Sequence, residues 1–166
     1  MPRTARFAVV ALIALAVSSP AGAKLKPGFT NDVCALLSAK QVSAISGLSA
    51  KCTNAAPSQG PGSTIYVGNW AGLTPTSPTL QVTIASYADA SLLKLAKHNL
   101  KQGLSGPPEH VTGLGGPAYE AKGAFAVGIH ITVGKYLAYI SLNTIKQPPS
   151  SPKLIEPVAK AVAAKL

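Results

Sequence analysis

Acid is scarce in this chain. Asp32, Asp89, Glu109, Glu120 and Glu156 are the only carboxylates in 166 residues, and no two of them are adjacent in sequence. No paired-carboxylate motif for general acid and base work can be drawn from so few. Arginine is confined to Arg3 and Arg6. Everything after the extreme N-terminus therefore lacks the residue best suited to bidentate phosphate and base contacts. Cysteine occurs twice, at Cys34 and Cys52, with neither a nearby His nor a second Cys pair. Two thiols alone do not make a tetrahedral metal site. Long apolar runs are also missing. The single uninterrupted one, Phe7 to Val17, falls short of the roughly 20 residues that span a bilayer.

That short run is nevertheless informative. Arg3 and Arg6 precede it, and Ala21-Gly22-Ala23 close it with small residues at the −3 and −1 positions of a cleavage site. Residues 1–23 read as a secretory signal peptide. A lipoprotein signal needs Cys at the first mature position. Here Lys24 follows, and Cys34 is preceded by Asn31-Asp32-Val33 rather than by a small apolar run. The expectation is a secreted or periplasmic protein, released without a lipid anchor and with no transmembrane segment after cleavage. Residues 24–166 are about the size of one ordinary domain. This part carries thirteen lysines against five acidic residues, a formal charge of +8. A basic excess invites a nucleic-acid reading. Scattered lysines without arginine or interleaved aromatics argue against it. In an oxidising compartment Cys34 and Cys52 are expected to pair, with metal binding as the rival.

Ser38-Ala39-Lys40-Gln41 has the form of a capping box opening a short helix, with Val42 and Ile45 toward the core and Gly47 as a left-handed stop. Asn54 to Ser63 reads as a loop by composition. Strands are predicted over Thr64–Ala71 and Thr79–Tyr87, the second with Leu80, Val82 and Ile84 on one face. Asp89 then caps a helix to Gln102, which Gly103 stops. The segment Gly103 to Gly116, which holds Glu109-His110, is loop-rich. Three further strands follow at Ala118–Ala121, Ala124–Val133 and Tyr136–Asn143, with Phe125, Val127, Ile129, Ile131 and Val133 as one apolar stripe. Tight turns are expected at Lys122-Gly123 and Gly134-Lys135, the latter of type II′. A last helix runs to Leu166 and begins near Pro157, where a first-turn proline is tolerated. The order helix-strand-strand-helix-strand-strand-strand-helix predicts an α+β domain of about five antiparallel strands with three helices packed against them.

The candidate sites are few. Gly113-Leu114-Gly115-Gly116 lacks the spacing of a phosphate-binding loop and enters a strand, so it reads as a tight turn. Gly113, Gly115, Gly116 and Tyr119, together with Trp70, form a candidate ligand or partner surface, although Trp70 reads more readily as core. Lys94, Lys97, His98 and Lys101 share one face of the predicted helix, either its solvated side or an anion-binding surface. His130 lies between Gly128 and Thr132, opposite the apolar stripe, where a ligand could approach. A hydrolase would need His110 or His130 joined to a carboxylate. Neither a Gly-x-Ser-x-Gly elbow nor a His-Glu-x-x-His run occurs. The expectation is a non-enzymatic protein without metal or cofactor, binding an unidentified protein or small ligand.

The segment Cys34 to Gly47, the partner Cys52, Trp70, the segment Val111 to Tyr119 and the final Ala/Val/Leu helix together resemble an uncharacterised family of small exported bacterial proteins, mostly actinobacterial lipoproteins. The family carries a Cys-x-Leu-Leu-(Ser/Thr) opening and a Gly-Leu-Gly-x-x-Ala-Tyr turn. The resemblance implies an α+β envelope domain with one disulfide, and it supplies no catalytic residues. This chain departs from the lipoprotein members in lacking the lipidation Cys.

Overall fold

The computed structural model describes residues 28–103, 109–114, 118–122, 125–144 and 152–166. The expected leader at 1–23 and the glycine of the Lys122-Gly123 turn lie outside them. A 3-10 turn at Cys34–Leu36 leads into α1 (Ala39–Ser43), then β1 (Leu48–Asn54), β2 (Ser58–Gly60), β3 (Ser63–Gly72), β4 (Thr79–Tyr87) and α2 (Ala90–Gly103). β5 (Glu109–His110), β6 (Ala118–Lys122), β7 (Ala126–Val133) and β8 (Tyr136–Asn143) follow, and a 3-10 turn at Pro152–Leu154 introduces α3 (Glu156–Ala163). The strands form one antiparallel sheet in the order β1-β3-β4-β8-β7-β6-β5, with β2 beside β3.

The fold is therefore mixed α and β, with three α-helices on an antiparallel sheet, as the pattern predicts. The strand count is larger. Six longer strands are joined by two short ones, β2 and β5, and β1 is one of the six. Asn54 to Ser63 is not simply a loop, because Ser58, Gln59 and Gly60 pair with Ile65, Thr64 and Ser63. Glu109-His110 likewise pairs with Glu120 and Tyr119 rather than staying in a loop.

Alternation in the central strands decides which face is covered. Leu80, Val82 and Ile84 of β4 stand across from Leu142, Ile140 and Ala138 of β8. Those in turn face Val127, Ile129 and Ile131 of β7. All nine are buried, and with Val42 of α1, Ile45 just beyond it, and Val158, Ala159 and Val162 of α3 they form one core. Fully burying an aliphatic side chain stabilises by about 1.5–3 kcal/mol, so this face supplies the main drive to fold. Phe125 does not continue the stripe. The strand starts one residue later, and Phe125 sits in the approach to it, 57% exposed.

Local signals work as the sequence predicts. Ser38 Oγ accepts from the Gln41 backbone N–H at 3.3 Å while Gln41 Oε1 accepts from the Ser38 N–H at 2.8 Å, which closes the capping box. In the Gly134-Lys135 turn only Gly134 has positive φ, at 54°, consistent with type II′. Pro157 falls in the first turn of α3.

Cys34 and Cys52 form a disulfide with Cα atoms 5.7 Å apart. A polar clip runs beside it: Asn54 Nδ2 donates to Asp32 Oδ1 at 2.7 Å, and Asn54 Oδ1 accepts from the Cys34 N–H at 3.2 Å. The Asn54 hydrogen bond, followed by weaker backbone donors, holds the Asp32 carboxyl below its usual range. Lys165 Nζ reaches the Ala35 carbonyl at 2.8 Å, tying the last residues to the first turn.

Candidate functional site: the second face of the sheet

The same alternation that fills one face presents the other half of each strand to the opposite side. Val67, Thr83, Tyr139 and His130 form a row across β3, β4, β8 and β7. Asn69, Gln81, Ser141 and Gly128 form the next, and Ile65, Ala85, Leu137 and Thr132 a third. Coverage here is incomplete. Ser141 and Thr132 are buried, Asn69 is exposed, and Val67, Gln81, Thr83, His130 and Tyr139 are half-buried. None of these twelve positions holds an acidic or a lysine residue.

The centre of this face is aromatic. The rings of His130 and Tyr139 stack at 4.1 Å between centroids with 16° between their planes. Gly128 makes room for them: a Cβ at that position would meet the Tyr139 ring, with the hydroxyl oxygen only 2.6 Å away. Burial pushes the His130 imidazole down from 6.5 to about 4, and no hydrogen bond contributes to the shift. His130 is therefore neutral at physiological pH. Burial also raises the Tyr139 phenol, which stays protonated and able to donate. Beside the stack, Gln81 Nε2 donates to Asn69 Oδ1 at 3.0 Å and Asn143 Nδ2 donates to Ser141 Oγ at 3.5 Å. The arrangement offers a flat ring pair flanked by amides and hydroxyls.

The glycine-turn surface with Trp70 does not form. Trp70 is 1% exposed, facing the core beside Leu80, so it cannot serve a partner. It is also remote from the turn. β3 and β6 are separated by β4, β8 and β7, which at the ordinary strand spacing puts them roughly 19 Å apart. Gly113 is exposed with φ of +80°, as a tight turn requires, and the neighbouring Leu114 is core. Gly115 and Gly116 lie outside the described residues, as does the side chain of Tyr119, whose backbone pairs with His130.

On α2, Lys94 and His98 are exposed while Lys97 is half-buried, so the four-residue basic face is not uniformly presented. The Lys101 side chain lies outside the described residues. Asp89 Oδ1 accepts from the Ser91 N–H at 2.6 Å and starts the helix as expected, and that bond, named first among its causes, lowers the carboxyl's pKa. At His130 the shift comes from burial, and the side chain of His110, the other histidine of the hydrolytic reading, lies outside the described residues. The sequence points to His130 through its flanking Gly128 and Thr132. It leaves Tyr139, Gln81 and Asn69 unremarked, although Gln81 lies between Leu80 and Val82, which it identifies as the apolar face of their strand.

Among the described residues no helix is long and apolar enough to cross a membrane. Compared with protein-family models, with curated proteins and with solved structures, the chain finds no match in any of the three.

Proposed function

We propose that this chain is a non-enzymatic protein of the bacterial envelope, secreted or periplasmic, that binds a small ligand or a partner's side chain on the half-open second face of the sheet. The stacked His130–Tyr139 pair carries the reading. Half-exposed aromatic area beside polar groups with hydrogen-bonding capacity to spare is what ligand sites combine. A histidine held near 4 is a weak base at neutral pH, and an orienting carboxylate is the usual means of raising one. That favours binding over turnover. The disulfide fits an oxidising compartment, and the leader-like N-terminus and the family resemblance support the envelope address.

The test is a ligand-observed NMR screen of aromatic and heteroaromatic fragments against the oxidised protein and its Tyr139→Ala variant. Hits should lose saturation transfer in the variant. Hits that bind both proteins equally would refute the site. A second reading, polyanion binding on α2, is favoured by the exposure of Lys94 and His98. It requires retention on a heparin column to fall steeply with salt, and flat retention ends it.

A further inference from the structure

Three loops meet at the end of the sheet where β3 begins, β4 ends and β7 turns into β8. Backbone hydrogen bonds hold them together. The Ala88 N–H donates to the Gly62 carbonyl at 3.0 Å, and the Tyr87 N–H donates to the Lys135 carbonyl at 3.1 Å. Gly62 is fixed twice over: its φ is +68°, and the space a Cβ would need is filled by Leu92 of α2. The loops are thus set in place before any ligand arrives. Between them lies a groove of about 350 Å³ lined by Gln59, Ser63, Thr64, Ser86, Tyr87 and Lys135 together with Gly60, Gly62 and Ala88.

The chemistry of this lining is specific. Gln59, Thr64 and Ser86 stand at paired positions and so share one face of the strands, while Ser63 and Tyr87 occupy the next paired position along; Thr64 Oγ1 donates to Gln59 Oε1 at 2.9 Å, which orients the amide with its NH2 outward from that bond. An apolar ligand would strip water from these groups without replacing their hydrogen bonds, which disfavours it. A ligand rich in hydroxyls would replace them. Burial raises the Tyr87 phenol, so it is a neutral donor and acceptor at physiological pH. Lys135 is exposed and, among the described residues, is the one charged residue in the lining. Asp89 lines an adjoining hollow of about 260 Å³, where its carboxylate is engaged by the Ser91 N–H at the start of α2. The volume of the groove sits at the low end of the roughly 300–1,000 Å³ of small-molecule sites.

We propose that this groove binds a short acidic saccharide, its ring hydroxyls on Gln59, Thr64 and Ser86 and its carboxylate on Lys135. The site is separate from the His130–Tyr139 face and does not depend on it.

Titration of the full oxidised domain with D-glucuronate, D-glucose and acetate, followed by amide chemical shifts, tests the assignment. Glucuronate should move residues 59–64, 86–88 and 135 saturably, and glucose should do so more weakly. Lys135→Gln, a substitution at an exposed turn, should weaken glucuronate by about tenfold and leave glucose unchanged, as expected for loss of one charge-assisted hydrogen bond. Tyr139→Ala should change neither, which separates this site from the sheet face. The proposal is overturned if glucuronate gives no saturable shifts here, if acetate matches it, or if Lys135→Gln binds glucuronate as tightly as the parent.

Discussion

His130 shows how burial alone can set a side chain's chemistry. Its imidazole titrates at about 4 in the folded protein against 6.5 for a free one. Between those values the unfolded chain binds more protons than the native state, so stability falls as pH drops from about 6.5 through about 4. The urea midpoint of the parent should therefore decline more between pH 7 and pH 4.5 than that of His130→Gln, and equal declines would refute the shift. Gly128 makes a second residue-level claim. In an open strand Gly→Ala is usually neutral or favourable, because it restricts the unfolded chain. Here the new methyl would enter the Tyr139 ring, so Gly128→Ala should destabilise by about 1–3 kcal/mol in urea denaturation. A neutral or stabilising result would mean that the ring does not lie over Gly128. Trp70 teaches the complementary lesson: a lone large aromatic is ambiguous by sequence, and its register beside Leu80 puts it in the core.

Regular alternation and cap chemistry make β4, β8, α1 and the start of α3 readable from the sequence, because each carries its own local signal. Thr79–Tyr87 and Tyr136–Asn143 match the observed strands residue for residue. β1, β2 and β5 are not readable in that way. Leu48-Ser-Ala-Lys-Cys-Thr-Asn54 has a single large apolar residue and a register irregularity between Leu48 and Cys52, so its pairing comes from β3 and the disulfide rather than from its own pattern. β2 is three small or polar residues beside the start of β3. Tertiary context overrides composition in such edge segments. The disulfide should accordingly matter to this edge. Replacing Cys34 and Cys52 together by Ser should cost about 3 kcal/mol for a closed loop of this length and should speed amide exchange first in β1. Exchange that accelerates uniformly, with β1 no faster than β4, would contradict the stapling role.

At the scale of the whole molecule, the chain places α1 and α3 on one side of a single sheet and leaves the other side partly open. The covered side is legible in the sequence, since apolar positions announce themselves by period. The open side is legible only at His130. Its character arises from Tyr139, Gln81, Asn69 and Ser141, drawn from three strands that meet only after β4 pairs with β8 across the intervening α2 and β5–β7 segment. No sequence window contains that row. The proposed function follows the same division, with one face spent on stability and binding assigned to the other. The most direct test is an amide and aromatic chemical-shift map of the protein titrated with the strongest fragment from the screen. The account predicts that Val67, Thr83, His130, Tyr139 and Ser141 move together with one dissociation constant while Val42 and Val158 stay fixed. Shifts centred on α1 and α3, with the His130–Tyr139 row unmoved, would contradict it.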